Sequence, residues 1–255
     1  MESSFSSSSE NPAQSPNRRP TLVVMAKAPR PGRVKTRLAQ RLPVEAVTEL
    51  YLCLLDDTMR LAQSLDTSLG SSLSAVKVAI MCPASDVEEL TRLTQGVVSV
   101  VAQKGEGLAA GLTSVFAHFA STGRRRVVAF NSDSPHLPAS VLESAFEALT
   151  GHDVVVGPTH DGGYYLVGAK AAHPALFDGD GMGTTSALEA LLARARGLQL
   201  SVGFTGPFYD IDVEDDLTRL AAELRLAPAR APRTAVWLKE WGQALARLRT
   251  GTGNL

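Results

Sequence analysis

The chain has 255 residues, 44% of them hydrophobic and 20% charged, which is ample material for one large core or two small ones. Its formal net charge of -1 argues against a general nucleic-acid-binding surface. No run approaches the roughly 18 consecutive apolar residues that a membrane helix needs.

Residues 1–20, MESSFSSSSENPAQSPNRRP, are rich in Ser, Asn and Pro and lack the apolar core of a signal peptide. They read as a disordered tail, with the cytoplasm as the simplest address. From residue 21 to 255 short apolar runs alternate with helical patterns, as in one domain. TLVVMA (21–26) reads as a buried strand. In residues 44–65, Val44, Val47, Leu50, Tyr51, Leu54, Leu55, Met59, Ala62 and Leu65 recur at helical spacing. Strands follow at 76–82, 97–103 and 126–132, with helices at 86–94 and 108–121 between them. A helix at 139–150, two strands at 153–159 and 163–169 joined through HDGG, and a helix at 184–196 come next. A strand at 198–203, a helix at 213–225 and a last helix at 236–248 complete the chain. Trp237 and Trp241, at i and i+4, can pack that last helix on its own domain, the simpler expectation, or on a partner. Cys53 and Cys82 read as small buried hydrophobes in a reducing compartment.

Such alternation predicts a three-layer α/β/α fold around a mostly parallel sheet. Ligands of these sheets bind beyond the carboxyl ends of the strands, where strand order reverses. Four segments just after strands are chemically unusual. The first, APRPGRVKTRLAQR (28–41), carries Arg30, Arg33, Lys35, Arg37 and Arg41 and no acid. Pro29, Pro31 and Gly32 keep it from running straight into a helix, and Gly32 allows close backbone approach. Its cations suit phosphate oxygens, although the spacing is neither that of a P-loop nor GxGxxG, and a solvated basic loop is the plainer reading.

The second, NSDSPHLP (131–138), ends a strand with Asp133, which can ligate a divalent metal or serve as a turn residue before Pro135. The third, THDGGYYLVG (159–168), offers Asp161 as a base or polar contact beside Gly162 and Gly163; the bland reading is a tight hairpin. His160 is the weaker candidate there. The fourth, YDIDVEDDLTRL (209–220), holds five acids between Asp210 and Asp216. Asp212 can supply a second metal carboxylate, while Glu214, Asp215 and Asp216 suit the first turn of a helix.

Together MAKAPRPGRVKTRLAQRL, NSDSPHLP, DGGYYLVG and DIDVEDDL resemble the bacterial glycosyltransferase family associated with arsenosugar biosynthesis, over roughly residues 21–220. The resemblance implies the GT-A fold of the nucleotide-diphospho-sugar transferase superfamily, which holds both glycosyltransferases and nucleotidyltransferases. It implies Asp133 and Asp212 as ligands of Mg2+ or Mn2+. Ala26, Lys27, Gly32, Arg33, Lys35, Arg37 and Gly107 become the expected nucleotide- and phosphate-binding positions. Asp161, Gly162, Gly163 and Tyr164 become substrate-binding positions, with Asp161 and Lys35 as the catalytic pair. The implied partners are a nucleotide sugar or NTP and a small-molecule acceptor, with no nucleic acid and no membrane span. The chain departs from the family's pattern at Ser134 and His136 in GxDCPDL and at Gly107, Ala109 and Gly111 in D-L-G-x-R-M. An aromatic expected near Met182 is also missing. The reaction implied is glycosyl transfer, with nucleotidyl transfer and pyrophosphate release as the alternative.

Overall fold

The computed structural model describes residues 20–68, 76–179 and 186–251. Most of the proposed tail and Met182 lie outside these residues. Pro20, assigned to the tail, is instead buried, and its carbonyl accepts a hydrogen bond from the Lys77 amide (2.9 Å).

Four strands run parallel at the centre and one edge of the sheet: β1 (Thr21–Met25), β2 (Lys77–Cys82), β3 (Ser99–Ala102) and β4 (Val127–Asn131). β5 (Val154–Pro158) and β6 (Tyr164–Ala169) form an antiparallel hairpin, and β7 (Val202–Phe204) pairs parallel to β5. The seven strands lie in the order β3-β2-β1-β4-β6-β5-β7. The expected mostly parallel mixed sheet is therefore present, with β6 antiparallel to both its neighbours.

The strands are nearly continuous apolar runs because both faces are covered. Successive side chains point to opposite faces. Leu22 and Val24 join one core with α1 (Val44–Ser68) and α4 (Ala139–Gly151), while Val23 joins the other with α3 (Gly107–Ser121) and α5 (Ala187–Gly197). α2 (Val87–Leu93) links β2 to β3. A third cluster covers the outer face of α1, where Val47, Leu50 and Leu54 meet Leu217 and Leu220 of α6 (Glu214–Leu226) and Trp237 of α7 (Pro232–Gly251).

α7 starts four residues earlier than its apolar pattern suggests, at Pro232, a residue suited to the first helical position because its missing N–H is not needed there. It packs on α1, so the chain's own domain takes Trp237, whose ring stacks on Trp241 at 5.4 Å. The dock is fixed by Asp57 of α1, a buried carboxylate that accepts the amides of Arg233 (3.2 Å) and Thr234 (2.8 Å) at the start of α7. Cys82 is buried as expected, but Cys53 is only half-buried beside this contact, and both are free thiols.

Candidate active site

Strand order reverses between β1 and β4, because β2 lies on the far side of β1 and β6 on the far side of β4. The chains leaving Met25 and Asn131, which are paired in register, therefore diverge and open a crevice. Tyr51 of α1 holds its two lips together. Its phenol oxygen accepts the Lys27 amide (3.1 Å) and bonds to the Ser132 hydroxyl (3.0 Å). Burial first, and Asp133 second, push the phenol up to about 12, so it stays protonated.

Above this brace three sequence-distant segments converge. Lys35 sets its ammonium 2.9 Å from Asp133 and 3.0 Å from Asp212, with only 3% of the side chain exposed. Burial opposes that charge, but Asp133 and Asp212 outweigh it and hold the ammonium above its usual range. Arg37, at the exposed rim, stands 3.4 Å from the other oxygen of Asp212. Asp210 completes the group: ligand oxygens of Asp133, Asp210 and Asp212 all lie within 4.8 Å of one another. Burial, then the charge of Asp212, lifts Asp210 from an ordinary 3.8 to about 6, while Lys35 pulls the other way.

The acidic segment is zipped onto the β4 loop. The Ile211 amide donates to the Asp133 carbonyl (3.1 Å), and the Ser134 hydroxyl donates to the Tyr209 carbonyl (3.0 Å). Ile211 is fully buried in the third core cluster, while Asp210 and Asp212 on either side of it reach Asp133. Asp216 accepts the amides of Asp212 (2.9 Å) and Val213 (2.8 Å), so this first-turn acid caps α6 and fixes Asp212. The departure at Ser134 thus has a local reason: its hydroxyl is one tooth of the zip. His136, the other departure in that motif, is fully buried against Phe208 and Tyr209. Burial, then Arg230, pushes its imidazole down to about 3, so it is a neutral packing group.

The basic stretch does not act as one unit. Arg30 is already neutralised, by Glu89 at 2.8 Å and Asp86 at 3.0 Å, and Asp86 also accepts the Ala28 amide (2.9 Å). That ties the first half of the loop to the segment following β2 and removes Arg30 from the set of free cations. Gly32 takes φ +71° and Lys35, unusually for a side-chain-bearing residue, φ +48°, which turns the chain back so that Lys35 points inward. Lys27, Arg33 and Arg41 remain exposed, without an acidic partner among the described residues. Ala26 is buried and extends the pairing of β1, its amide donating to the Met81 carbonyl (3.1 Å).

The β5–β6 turn opens at the same end of the sheet. Asp161 accepts hydrogen bonds from the Thr159 hydroxyl and the Gly163 amide (3.2 Å). The Thr159 hydroxyl, chiefly, holds its carboxyl below the usual range, and the charge of Arg37 contributes. Asp161 therefore shapes its own turn. Gly162 has φ +89°, and a Cβ on Gly163 would meet the Thr159 hydroxyl at 2.9 Å. The Phe208 amide donates to the Pro158 carbonyl (3.0 Å), which binds this hairpin to the acidic segment. Tyr164 is half-buried in the core on the α3 and α5 face. Gly107 opens α3 with φ +81°, beyond the edge strand β3, and no contact joins it to the Lys35 cluster among the described residues. A Cβ on Gly111 would meet the tips of the Met25 and Gln103 side chains at 2.9 Å, and both would have to shift.

The structure thus joins Lys35, Arg37, Asp133 and Asp212, sets Asp161 within electrostatic reach of Arg37, and adds Asp210 and Tyr51, which the sequence reading left out. Asp210 was legible in the D-x-D spacing of YDID, where alternate residues can share a face around a buried Ile. Tyr51 carried no local signal beyond its place in an amphipathic helix. No helix among the described residues is long and apolar enough to cross a membrane.

Residues 67–184 match the model of a family described as "Uncharacterized protein conserved in bacteria (DUF2064)", a span that holds Asp133 and the Asp161 turn but not Lys35, Asp210 or Asp212. No curated protein matches the chain. Among solved structures it is similar to a candidate nucleotide-diphospho-sugar transferase from Desulfovibrio desulfuricans G20, at 25% identity and a TM-score of 0.79, covering 91% of this chain and 98% of that one. Two further likenesses are of fold alone. One is to a nucleotidyl transferase from Methanothermobacter thermautotroptrophicus (18% identity, 82% and 99% coverage, TM-score 0.52). The other is to the 4-diphosphocytidyl-2C-methyl-D-erythritolsynthase of Anaerococcus prevotii DSM 20548 (11% identity, 82% and 97% coverage, TM-score 0.53). The chain has the nucleotide-diphospho-sugar transferase-like fold, and residues 67–184 of it match the DUF2064 model.

Proposed function

We propose that this protein is a metal-dependent transferase acting on a nucleotide-activated substrate, with the single domain from residue 21 onward transferring a glycosyl group from a nucleotide sugar to a small-molecule acceptor. The observation that carries this reading is the convergence of Lys35, Asp133, Asp210 and Asp212 at the point where strand order reverses. Three carboxylates with close oxygens form a hard-oxygen donor set that fits Mg2+ or Mn2+. Asp133 and Asp212, with Asp210 as a third ligand, would hold the ion, and the ion would supply charge to the leaving diphosphate.

The chain's own groups do the rest. Lys35 and the exposed Arg33 and Arg37 bind phosphate oxygens, Arg in bidentate fashion. Ala26, Lys27 and Gly32 form the wall that the nucleotide lies against, with Gly107 as an outlying phosphate contact. Asp161, kept ionised by Thr159 and Gly163, accepts a hydrogen bond from the acceptor hydroxyl and orients it, with Gly162, Gly163 and Tyr164 shaping the acceptor's seat. Glycosyl transfer is favoured by the resemblance of the four motifs. The second reading, nucleotidyl transfer to a phosphorylated small molecule, is favoured by the free cations Arg33 and Arg41 flanking Lys35, since a triphosphate carries more charge than a diphosphate.

The test is to incubate the protein and Mg2+ or Mn2+ with panels of sugar nucleotides and NTPs, measuring nucleoside diphosphate and pyrophosphate separately. Diphosphate release from a sugar nucleotide is expected; pyrophosphate release from an NTP would replace the first reading by the second. Asp133→Ala should abolish metal-dependent turnover while leaving the unfolding midpoint within a few degrees, and full activity in that variant would remove Asp133 from the mechanism.

A further inference from the structure

The Lys35 ammonium sits on two of the carboxylates that the proposed divalent ion would use. It touches Asp133 Oδ2 at 2.9 Å and Asp212 Oδ1 at 3.0 Å, two of the three carboxylates whose ligand oxygens lie within 4.8 Å of one another. Mg2+ binds carboxylate oxygens at about 2.0–2.1 Å, so an ion shared by these carboxylates would sit within a few ångströms of the ammonium. Two cations that close repel one another, the more so because the ammonium itself is buried, although Asp133 and Asp212 are 26% and 36% exposed. The Lys35 side chain is only 3% exposed and its backbone sits at φ +48°, so in this structure the ammonium is directed onto these acids and not into solvent. The only other cation in contact with these acids among the described residues is Arg37, at the rim on the second oxygen of Asp212.

We infer that Lys35 is an internal counter-ion that closes the metal site until phosphate is present, so that metal and nucleotide load together. An arriving phosphate offers the ammonium new anionic oxygens, draws it off Asp133 and Asp212, and vacates the carboxylates for the ion that travels with the phosphate. The same residue therefore opposes metal alone and favours the metal–phosphate pair. The inference rests on the proposed metal-dependent reading and adds an order of assembly to it. Its physical benefit is that an empty site does not hold a divalent ion without substrate, and a coupled site admits the correct pair by linkage, each ligand raising the affinity for the other by the same factor.

The test uses the full chain and Mn2+ alone, with bound ion counted from the loss of the free-ion paramagnetic resonance signal. Lys35→Met should bind Mn2+ at least tenfold more tightly than the wild type, and adding Asp133→Asn to that variant should remove the gain. Equal or weaker binding by Lys35→Met would overturn the counter-ion role while leaving the metal-dependent reading in place. Absence of Mn2+ binding by every form, with or without phosphate, would overturn both. Where Lys35→Met does not fold, Lys35→Gln takes its place. The wild type provides an independent arm: millimolar inorganic phosphate, after correction for its own complex with the ion, should raise Mn2+ affinity severalfold. No change there, with Mn2+ bound, would also overturn the coupling.

Discussion

Asp210→Asn should stabilise the protein at neutral pH while disabling the proposed metal site. Asp210 titrates at about 6 in the folded chain against an ordinary 3.8, chiefly because it is buried and secondly because Asp212 faces it. Below 3.8 both folded and unfolded forms carry the proton, and the acid has no effect on stability. Between 3.8 and 6 the folded form keeps a proton that the unfolded form has lost, so stability falls as pH rises. Above 6 the full penalty applies. A rise of about two pH units, at ~1.36 kcal/mol per unit, corresponds to ~3 kcal/mol, which partial solvent access reduces to about 2. The amide removes that penalty. Urea unfolding followed by circular dichroism should therefore show Asp210→Asn more stable by ~2 kcal/mol at pH 7.5 and by less than ~1 kcal/mol at pH 4.5. A gain of the same size at both pH values, or none at pH 7.5, would refute the charge argument.

Three further outcomes follow from the same geometry. Lys35→Ala and Arg33→Ala should both weaken nucleotide binding, but calorimetry across salt concentrations should show a loss that persists at high salt only for Lys35, because it is buried and Arg33 is exposed. Tyr51→Phe leaves the Lys27 amide and the Ser132 hydroxyl without a partner they now share, so it should lower stability by about 1–2 kcal/mol; an unchanged urea midpoint would remove Tyr51 as the brace of the crevice. Asp57→Ala strips two amides at the start of α7 of a buried acceptor and should lower stability by about 2–3 kcal/mol and expose α7 to limited proteolysis; protease resistance equal to wild type would show that the Trp237 contact alone holds it.

The fold was readable because its signals are local. TLVVM, VVAFN and VVVGP are apolar on both faces, which a sheet covered on two sides requires, and the helices between them show one- or two-sided apolar stripes. The antiparallel β6 was half-legible, since HDGG announces a turn but not the neighbour that its second strand finds in β4. Site membership is harder because it depends on where side chains end after long excursions. Arg30 and Lys35 look alike in the sequence, five residues apart in one basic run, yet one is spent on Asp86 and Glu89 and the other faces Asp133 across the crevice. The difference is made by acids 50 or more residues away and by a left-handed turn at Lys35, neither of which a charge count contains. Asp161 errs in the other direction: its motif is conspicuous, and much of its hydrogen-bonding capacity goes to its own turn.

The charge balance around Lys35 bears on the proposed metal site. In the supporting cluster on α6, one acid, Glu223, meets two cations, Arg219 and Arg230. At the crevice the ratio is reversed, with Asp133, Asp210 and Asp212 facing one buried ammonium and one exposed guanidinium. The neutral hydrogen bonds around them, from Ile211, Ser134 and Tyr51, fix the segments that carry these acids without supplying any positive charge. A cluster kept only for stability would relax this repulsion with one amide, as Asp210→Asn is expected to do. Its placement at the switch point of the sheet fits the proposed site for a divalent cation.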